Sequence, residues 1–179
     1  CGNEDSDMQT VNLEDIVDPV AVPMAPASAF GVDASCMTTV TAADIAGAST
    51  DNCTALADLV IGISTDGVLG NAVVASVILT ADFSAGCPQT QEVWLHVWDQ
   101  CGNEHATMQN VDLEDNIDPV AVPMPSVSSP YAVDASCMAT VSAADIAGVS
   151  TDNCTAIADL IIGISTDGVL GNPAAATVS

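Results

Sequence analysis

The sequence predicts an all-β protein made of tandem β-sandwich modules that are each about 100 residues long. The first observation is an internal repeat: from Cys1 and Cys101 onward, 17 of 24 aligned positions are identical. After a one-residue slip the copies resume at Val32 and Val133, where 35 of 40 positions match. The second observation is a series of short, alternating apolar runs between turn residues, which is typical of strands. A repeat this long suits one autonomous domain better than a solenoid unit.

Asp-Pro dipeptides mark the expected module boundaries. Residues 1–17 are predicted to be the last strand of a preceding module, and residues 18–118 a complete module. Residues 119–179 are predicted to be the truncated start of the next module, so we expect both termini to be cuts in a longer array.

Six strands are predicted along one module, separated by turn signals such as Asp66-Gly67 and Gly70-Asn71. Strands of this length and spacing predict an immunoglobulin-like sandwich. The segment Ala42–Ala46 falls in a polar loop, with a helical turn as its alternative. The predicted strands are Val20–Met24, Cys36–Thr41, Ala55–Ser64, Ala72–Thr80, Glu92–Trp98 and His105–Leu113.

The fifth predicted strand places alternate residues on opposite faces. Val93, Leu95 and Val97 are expected in the core, and the other face carries Trp94, His96 and Trp98. That face is a possible contact patch for a neighbouring chain or a glycan. The alternative is that the two tryptophans cover the adjacent strand, with His96 at the surface.

Charge excludes several classes of function. The chain has 24 acidic residues and no lysine or arginine. It cannot neutralise phosphates, so nucleic-acid binding and attraction to anionic membranes are not expected. No apolar run is long enough to insert into a membrane. Neither a phosphate-binding loop nor a nucleophile elbow is present, so we do not expect an enzyme.

The seven cysteines predict disulfides and an oxidising, extracellular location. One module contains four of them, which gives two bridges, and the odd total follows from where the repeat is cut. From the sandwich topology we prefer Cys53–Cys101 and Cys36–Cys87 over the two other pairings, because bridged Cα atoms must lie within about 7 Å.

The chain also resembles a known family over nearly its whole length. Asp33-Ala34-Ser35-Cys36, Thr50-Asp51-Asn52-Cys53 and Asp99-Gln100-Cys101-Gly102-Asn103 occur in order, before an acidic linker that ends in Asp-Pro. This pattern is similar to the hyalin-type (HYR-like) repeats of giant surface adhesins from Bacteroidota. The resemblance implies immunoglobulin-like modules, a cell-surface or secreted location, and a role in adhesion or in a stalk.

Acidic residues cluster at the predicted joints between modules. In the predicted topology, each linker lies near the acidic loops of the module that it enters, and the linkers resemble the calcium-binding joints of cadherins. Calcium takes six to eight oxygen ligands in flexible geometry. The alternative is that these residues are solvated turn acids. The predicted ligands are Glu14, Asp15, Asp18, Asp51 and Asp99 at one joint, and Glu114, Asp115, Asp118 and Asp152 at the next.

These observations predict a structural repeat of an extracellular stalk, adhesin or filament, whose partners are copies of itself or neighbouring repeats. A glycan-binding module that uses Trp94 and Trp98 is the alternative. A third possibility is a subunit whose first 16 residues complete the module of a neighbour by strand addition.

Overall fold

The computed structural model describes residues 1–71, 73–125, 130–166 and 168, and the backbone of residues 177–178. The chain is β-rich and divides into two compact units. Unit 1 contains Cys1–Ser28, Thr39–Ile78 and Gln91–Val111, and unit 2 contains Ala29–Thr38, Leu79–Thr90 and Asp112–Ser179. None of the helices in the described residues has the length and apolar character needed to span a bilayer.

In the part of the chain that the structure describes, eight strands and two short α-helices follow one another. One four-stranded sheet has the order β1-β6-β5-β3, and two-stranded sheets join β2 to β4 and β7 to β8. The strands are β1 (Phe30–Gly31), β2 (Met37–Thr41), β3 (Val60–Ser64), β4 (Ser76–Thr80), β5 (Gln89–Trp98), β6 (Glu104–Glu114), β7 (Val141–Ser142) and β8 (Thr177–Val178). The helices are α1 (Ala42–Ile45) and α2 (Ala143–Ile146), and 3-10 turns cover Leu56–Asp58, Phe83–Ala85 and Ile157–Asp159.

Unit 1 is built around the antiparallel pair of β3 and β5, in which Ile63 faces Leu95 and Gly62 faces His96. The alternation of β5 produces the predicted core, because Val93, Leu95 and Val97 are all completely buried. Other fully buried apolar side chains of unit 1 are those of Pro19, Val40, Ile45, Ile63 and Val111.

Unit 2 contains the parallel pair of β1 with the end of β6, where Phe30 faces Leu113. Leu113 is completely buried, and Val32, Leu79 and Ile164 are nearly so. The backbone N–H of Val32 donates to the carbonyl of Glu114 at 2.9 Å and so extends this pairing by one residue. A disulfide between Cys36 and Cys154 also belongs to this unit.

The predicted strand Val20–Met24 is wrong. Val20 and Pro23 form isolated bridges to Thr50 and Ala46, and no strand is assigned there. Proline has no N–H to donate to a ladder, so Pro19 and Pro23 interrupt the pairing. The contact is nonetheless close, because a Cβ on Gly47 would lie 2.6 Å from the carbonyl oxygen of Val22.

Other boundaries shift in a similar way. The predicted strand Ala55–Ser64 begins as a 3-10 turn and becomes β3 only at Val60. The helical alternative for the Ala42–Ala46 segment is confirmed by α1. Of the predicted strand Ala72–Thr80, residue 72 lies outside the described residues and β4 starts at Ser76.

Residues 1–17 have no strand, although their sequence counterparts, residues 101–117, include the whole of β6. β6 is held by its neighbour β5, and the first 17 residues are not paired with such a strand. Other parts of the two copies adopt the same local structure, such as the short helices α1 and α2. The bridges of Val20 to Thr50 and of Val120 to Thr151 occupy corresponding positions.

Candidate functional site

Three aspartates of unit 1 converge on one point. Asp15, Asp51 and Asp99 each offer one carboxylate oxygen, and these three oxygens lie within 4.8 Å of one another. Asp15 belongs to the segment before the first bridge, Asp51 follows the bridge residue Thr50, and Asp99 directly follows β5. The structure thus brings together three of the five residues predicted at this joint.

Local hydrogen bonds fix the orientation of two of these carboxylates. Asp51 Oδ2 accepts from the backbone N–H groups of Cys53 and Thr54, at 2.9 and 2.7 Å. Asp99 Oδ1 accepts from the backbone of Cys101 and Asn103, at 2.9 and 2.8 Å. Short polar turns of this kind are formed by an aspartate that bonds to the backbone two to four residues later.

The side chain of Asn103 connects the other members of the cluster. Its Nδ2 donates to Asp99 Oδ2 at 2.6 Å and to the carbonyl oxygen of Asp15 at 3.0 Å. Asn52 Nδ2 lies 3.3 Å from Asp15 Oδ1. Because these donors are amides, the cluster gains hydrogen bonds but no positive charge.

Two oxygens of the cluster have no hydrogen-bond partner in the described residues. They are Asp15 Oδ2 and Asp51 Oδ1, and both atoms are buried. A buried carboxylate oxygen without a partner is costly, so such an atom requires an explanation such as an ion. The free oxygens, rather than the satisfied ones, are the atoms that a cation would contact.

Hydrogen bonds favour the ionised form of Asp99. Burial raises the pKa of Asp99, yet hydrogen bonds from Asn103 and from the backbone of residues 101–103 outweigh it, so the pKa falls below its usual value. The pKa of the neighbouring Cys53 thiol is raised, chiefly by its hydrogen bond to the Asp15 carboxylate. The chain contains no lysine or arginine that could compensate the three negative charges.

The remaining predicted ligands are not part of this cluster. Glu14 and Asp18 are exposed, as is Asp118 at the second joint. At that joint Asp115 and Asp152 repeat the first arrangement in part. Asn153 Nδ2 lies 3.3 Å from Asp115 Oδ1, as Asn52 does from Asp15, and Asp152 Oδ2 accepts from Cys154 and Thr155. Glu114 ends β6, where its carbonyl accepts from Val32.

The predicted cysteine pairings Cys53–Cys101 and Cys36–Cys87 are not the ones that the structure forms. Cys36 is bonded to Cys154, with the Cα atoms 5.4 Å apart. All seven cysteines lie in the described residues, and the five others, Cys1, Cys53, Cys87, Cys101 and Cys137, are free and exposed. The prediction assumed that pairing stays inside one repeat, but Cys154 is the counterpart of Cys53 in the next copy.

The predicted contact patch is also corrected at its centre. His96 is completely buried, while Trp94 and Trp98 are half-buried. The Trp98 ring stacks on His96 with centroids 5.7 Å apart, and a Cβ on Gly67 would collide with the Trp94 indole. Both tryptophans therefore cover their own unit, as the alternative for this face supposed.

A buried polar chain around His96 was not predicted. Its Nε2 lies 2.8 Å from Ser64 Oγ, and its Nδ1 lies 2.8 Å from Glu104 Oε1. An ionised carboxylate can only accept, so Nδ1 carries a proton, and in a neutral imidazole Nε2 then accepts from the Ser64 hydroxyl. These three residues lie on β3, β5 and β6, which no local sequence pattern could have connected.

The arrangement can hold a hard cation at the three aspartates, and it crosslinks two copies of the repeat at Cys36 and Cys154. Known proteins give no further guide to these features. No protein-family model, no curated protein and no solved structure matches this chain.

Proposed function

We propose that the chain is a structural repeat of an extracellular stalk, adhesin or filament. Its modules are immunoglobulin-like sandwiches, stiffened by disulfides and by calcium bound where a linker enters a module. The observation that carries this proposal is the cluster of Asp15, Asp51 and Asp99, with its two partnerless buried oxygens.

The spacing of the cluster suits calcium. Calcium–oxygen distances are about 2.3–2.6 Å, so two oxygens on opposite sides of one ion lie about 5 Å apart. The three carboxylates lie within 4.8 Å of one another, and all can therefore contact the same ion. Asp15 Oδ2 and Asp51 Oδ1 are the first candidates, because neither has another partner. A bound cation would offset the repulsion among three carboxylates in a chain without lysine or arginine.

The position of the cluster explains how the ion would act on the architecture. Asp15 lies in the segment that precedes the first bridge, whereas Asp51 and Asp99 lie in loops of the sheet-forming part of unit 1. An ion held by all three ties the incoming segment to those loops. The expected mechanical result is a stiffer entry into the module.

The order of the strands supports an immunoglobulin-like module. In that fold the third, sixth and seventh strands (C, F and G) form one sheet, and the second and fifth (B and E) belong to the other. The adjacent strands β3, β5 and β6 correspond to the first group, and the pair of β2 and β4 corresponds to the second. The parallel pairing of β1 with β6 places a short first strand beside the last one.

The disulfide supports the proposal of an extracellular location. Disulfides persist in oxidising compartments and are rare in the cytosol. The Cys36–Cys154 bond connects two loops that are 118 residues apart. Five further exposed thiols would be open to oxidation in such a compartment.

Glycan binding through Trp94 and Trp98 is less well supported. A sugar would need exposed indole faces, but the Trp98 ring is stacked on His96 and the Trp94 indole lies against Gly67. Catalysis is not part of the proposal either. Ser64, His96 and Glu104 are connected in the order hydroxyl, imidazole, carboxylate, but complete burial of the imidazole favours a structural role.

The test compares Asp51→Asn with the unchanged chain, by thermal unfolding followed in circular dichroism with chelator or with calcium. In the unchanged chain we expect calcium at 100 times its dissociation constant to add about 2.7 kcal/mol of stability. In Asp51→Asn the amide oxygen can keep the bonds to Cys53 and Thr54, while the amide nitrogen replaces the partnerless oxygen. The variant should match or exceed the unchanged chain in chelator and lose the response to calcium.

Asp112→Asn is the matched control, because it removes the same charge at an exposed position of β6. It should keep the full response to calcium. An equal response from Asp51→Asn and Asp112→Asn would contradict a site at the cluster. If magnesium stabilised the chain as well as calcium does, the ion assignment would be wrong.

A further inference from the structure

The disulfide joins two different copies of the repeat. Cys36 belongs to the first copy, and Cys154 is the second-copy counterpart of Cys53. The bond therefore has a direction along the array, from the Cys36 position of one copy to the Cys53 position of the next. Two cysteines at these same positions, Cys53 and Cys137, remain unbonded in this chain.

The loop that carries Cys137 has the same conformation as the loop that carries Cys36. Both cysteines adopt the left-handed backbone conformation, with φ of 59° at Cys36 and 62° at Cys137. In the first loop Asp33 Oδ1 accepts from Ser35 and Met37, at 2.8 and 3.0 Å. Asp134 makes the corresponding bonds in the second loop, at 2.8 and 3.1 Å. The unbonded cysteine is thus held in the backbone geometry of the bonded one.

The loop of Cys53 likewise repeats the loop of Cys154. The Asp51 carboxylate accepts from the N–H of Cys53 at 2.9 Å, and Asp152 accepts from Cys154 at 3.0 Å. The preceding asparagine approaches the sulfur in both copies, at 3.0 Å for Cys53 and 2.8 Å for Cys154.

The bonded pair shows how the two loops recognise each other. Asn153 Nδ2 donates to the carbonyl oxygen of Asp33 at 3.3 Å, and Cys36 Sγ lies 3.0 Å from the carbonyl oxygen of Asn153. The counterpart of Asn153 is Asn52, which is exposed beside Cys53. The same recognition elements are therefore present at the two unbonded positions.

We infer that Cys53 and Cys137 are the two halves of the same bridge, each made with a neighbouring copy of the repeat. Cys53 forms a disulfide with the cysteine at the Cys36 position of the preceding copy. Cys137 forms one with the cysteine at the Cys53 position of the following copy. The result is a covalent ladder that runs through every joint. This inference rests on the proposed function as a structural repeat.

Formation of each bridge is an oxidation. Two thiols lose two protons and two electrons and form one S–S bond, and a small disulfide such as oxidised glutathione accepts them and becomes two thiols. Formation of the Cys36–Cys154 bond likewise requires a two-electron oxidant.

The experiment uses two variants of the full chain, Cys53→Ser and Cys137→Ser, in a glutathione redox buffer. The unchanged chain should form a series of covalent multimers on a non-reducing gel, because each molecule has one Cys53 and one Cys137. Neither variant alone should do so. A mixture of the two should stop at a dimer, in which Cys137 of one variant is bonded to Cys53 of the other.

Cyanogen bromide cleavage after methionine identifies the bond, since the chain has six methionines. The Cys36–Cys154 bond links fragments 25–37 and 139–179, whereas the inferred bond links fragment 125–138 to fragment 38–108. Presence of the first pair also shows that a variant has folded. Cys101→Ser and Cys87→Ser are the controls, and both should form multimers as the unchanged chain does.

The inference is overturned if the unchanged chain stays monomeric, if either variant alone forms the multimers, or if Cys101→Ser or Cys87→Ser abolishes them. Its failure is separable from failure of the proposed function. Loss of multimers with an intact calcium response would refute the ladder alone. Multimers without a calcium response would refute the metal site alone.

Discussion

His96 holds three strands together through both of its ring nitrogens. The side chain is completely buried, and Glu104 is 10% exposed. Ser64 Oγ, on β3, also accepts from the N–H of Gly67, and Glu104 Oε2 accepts from the N–H of Gly70 at 2.6 Å. A satisfied buried network of this kind specifies one register for its strands, and removal of His96 breaks both of the hydrogen bonds that connect β5 to β3 and β6 in this network.

We predict that His96→Ala lowers the free energy of unfolding by about 3 kcal/mol, because it removes the hydrogen-bond partner of Glu104 Oε1 and one partner of the Ser64 hydroxyl and leaves a cavity in place of the buried ring. Urea denaturation would measure this change. Thr90→Ala is the control: it removes the 2.6 Å bond to Asp112 at an exposed site, so its effect should stay within about 0.5 kcal/mol. Equal effects from both substitutions would mean that His96 has no special role.

Sequence periodicity predicted part of this region correctly. Val93, Leu95 and Val97 are buried as expected, because alternation on a strand is a local property. The burial of His96 depends on Ser64 and Glu104, which come from other strands. A pattern within β5 could not show that the second face was covered as well.

At the scale of elements, α1 is a four-residue helix that begins with a capping box. Asp44 Oδ2 accepts from the backbone N–H of Thr41 at 2.8 Å and from its hydroxyl at 2.6 Å. These bonds to Thr41 lower the pKa of Asp44, against a smaller opposing effect of burial. The helix ends in Ile45, which is completely buried, so the cap also positions a core residue.

We predict that Asp44→Ala costs about 1 kcal/mol of stability at neutral pH. The folded pKa of Asp44 lies below its unfolded value of 3.8, so the carboxylate stabilises the fold above that pH. The contribution is lost as the pH falls through the folded pKa, and the difference between variant and unchanged chain should then shrink. Urea denaturation at neutral and strongly acidic pH measures both differences.

Asp145→Ala is the matched control for this prediction, because Asp145 makes the same bonds to Ser142 in α2. Ile146, the counterpart of Ile45, is 40% exposed, so loss of this cap should cost less. An effect of Asp44→Ala that does not change with pH would contradict the assigned role of its carboxylate.

Element prediction succeeded where one segment determined its own structure. β2, β5 and β6 lie close to their predicted ranges, since each is a run of alternating or β-branched residues. It failed at Val20–Met24, where prolines reduce the pairing to isolated bridges. It also missed β1, a two-residue strand whose existence depends on β6, more than 70 residues further along the chain.

At the scale of the whole molecule, the disulfide joins two copies of the repeat and does not lie within one copy. Counting cysteines per copy predicted two bridges within a module, whereas the structure forms one bridge, between copies, and leaves five cysteines free. The predicted topology assigned the wrong partners, because sequence spacing cannot show which loops meet. The acidic cluster was easier to predict. Asp15, Asp51 and Asp99 flank structural elements whose ends meet in a sandwich of the predicted topology, so their proximity followed from strand order.

The Cys36–Cys154 bond closes a loop of 118 residues that includes the greater part of both copies. In the chain-entropy view, a crosslink of this span restricts the unfolded state and stabilises the folded chain by about 4–5 kcal/mol. We predict that Cys36→Ser lowers stability by about this amount in urea denaturation followed by far-ultraviolet circular dichroism. Tryptophan fluorescence is less suitable, because both tryptophans lie in the part of β5 that belongs to unit 1.

Cys87→Ser is the control, since Cys87 is free and exposed and its loss should change stability by less than about 0.5 kcal/mol. Reduction of the unchanged chain should reproduce the effect of Cys36→Ser and should not destabilise that variant further. If Cys87→Ser lowered stability as much as Cys36→Ser does, Cys36 would be bonded to Cys87 inside one repeat and not to Cys154 of the next copy. The ladder would then lose its basis, because its register is set by the pairing of Cys36 with Cys154.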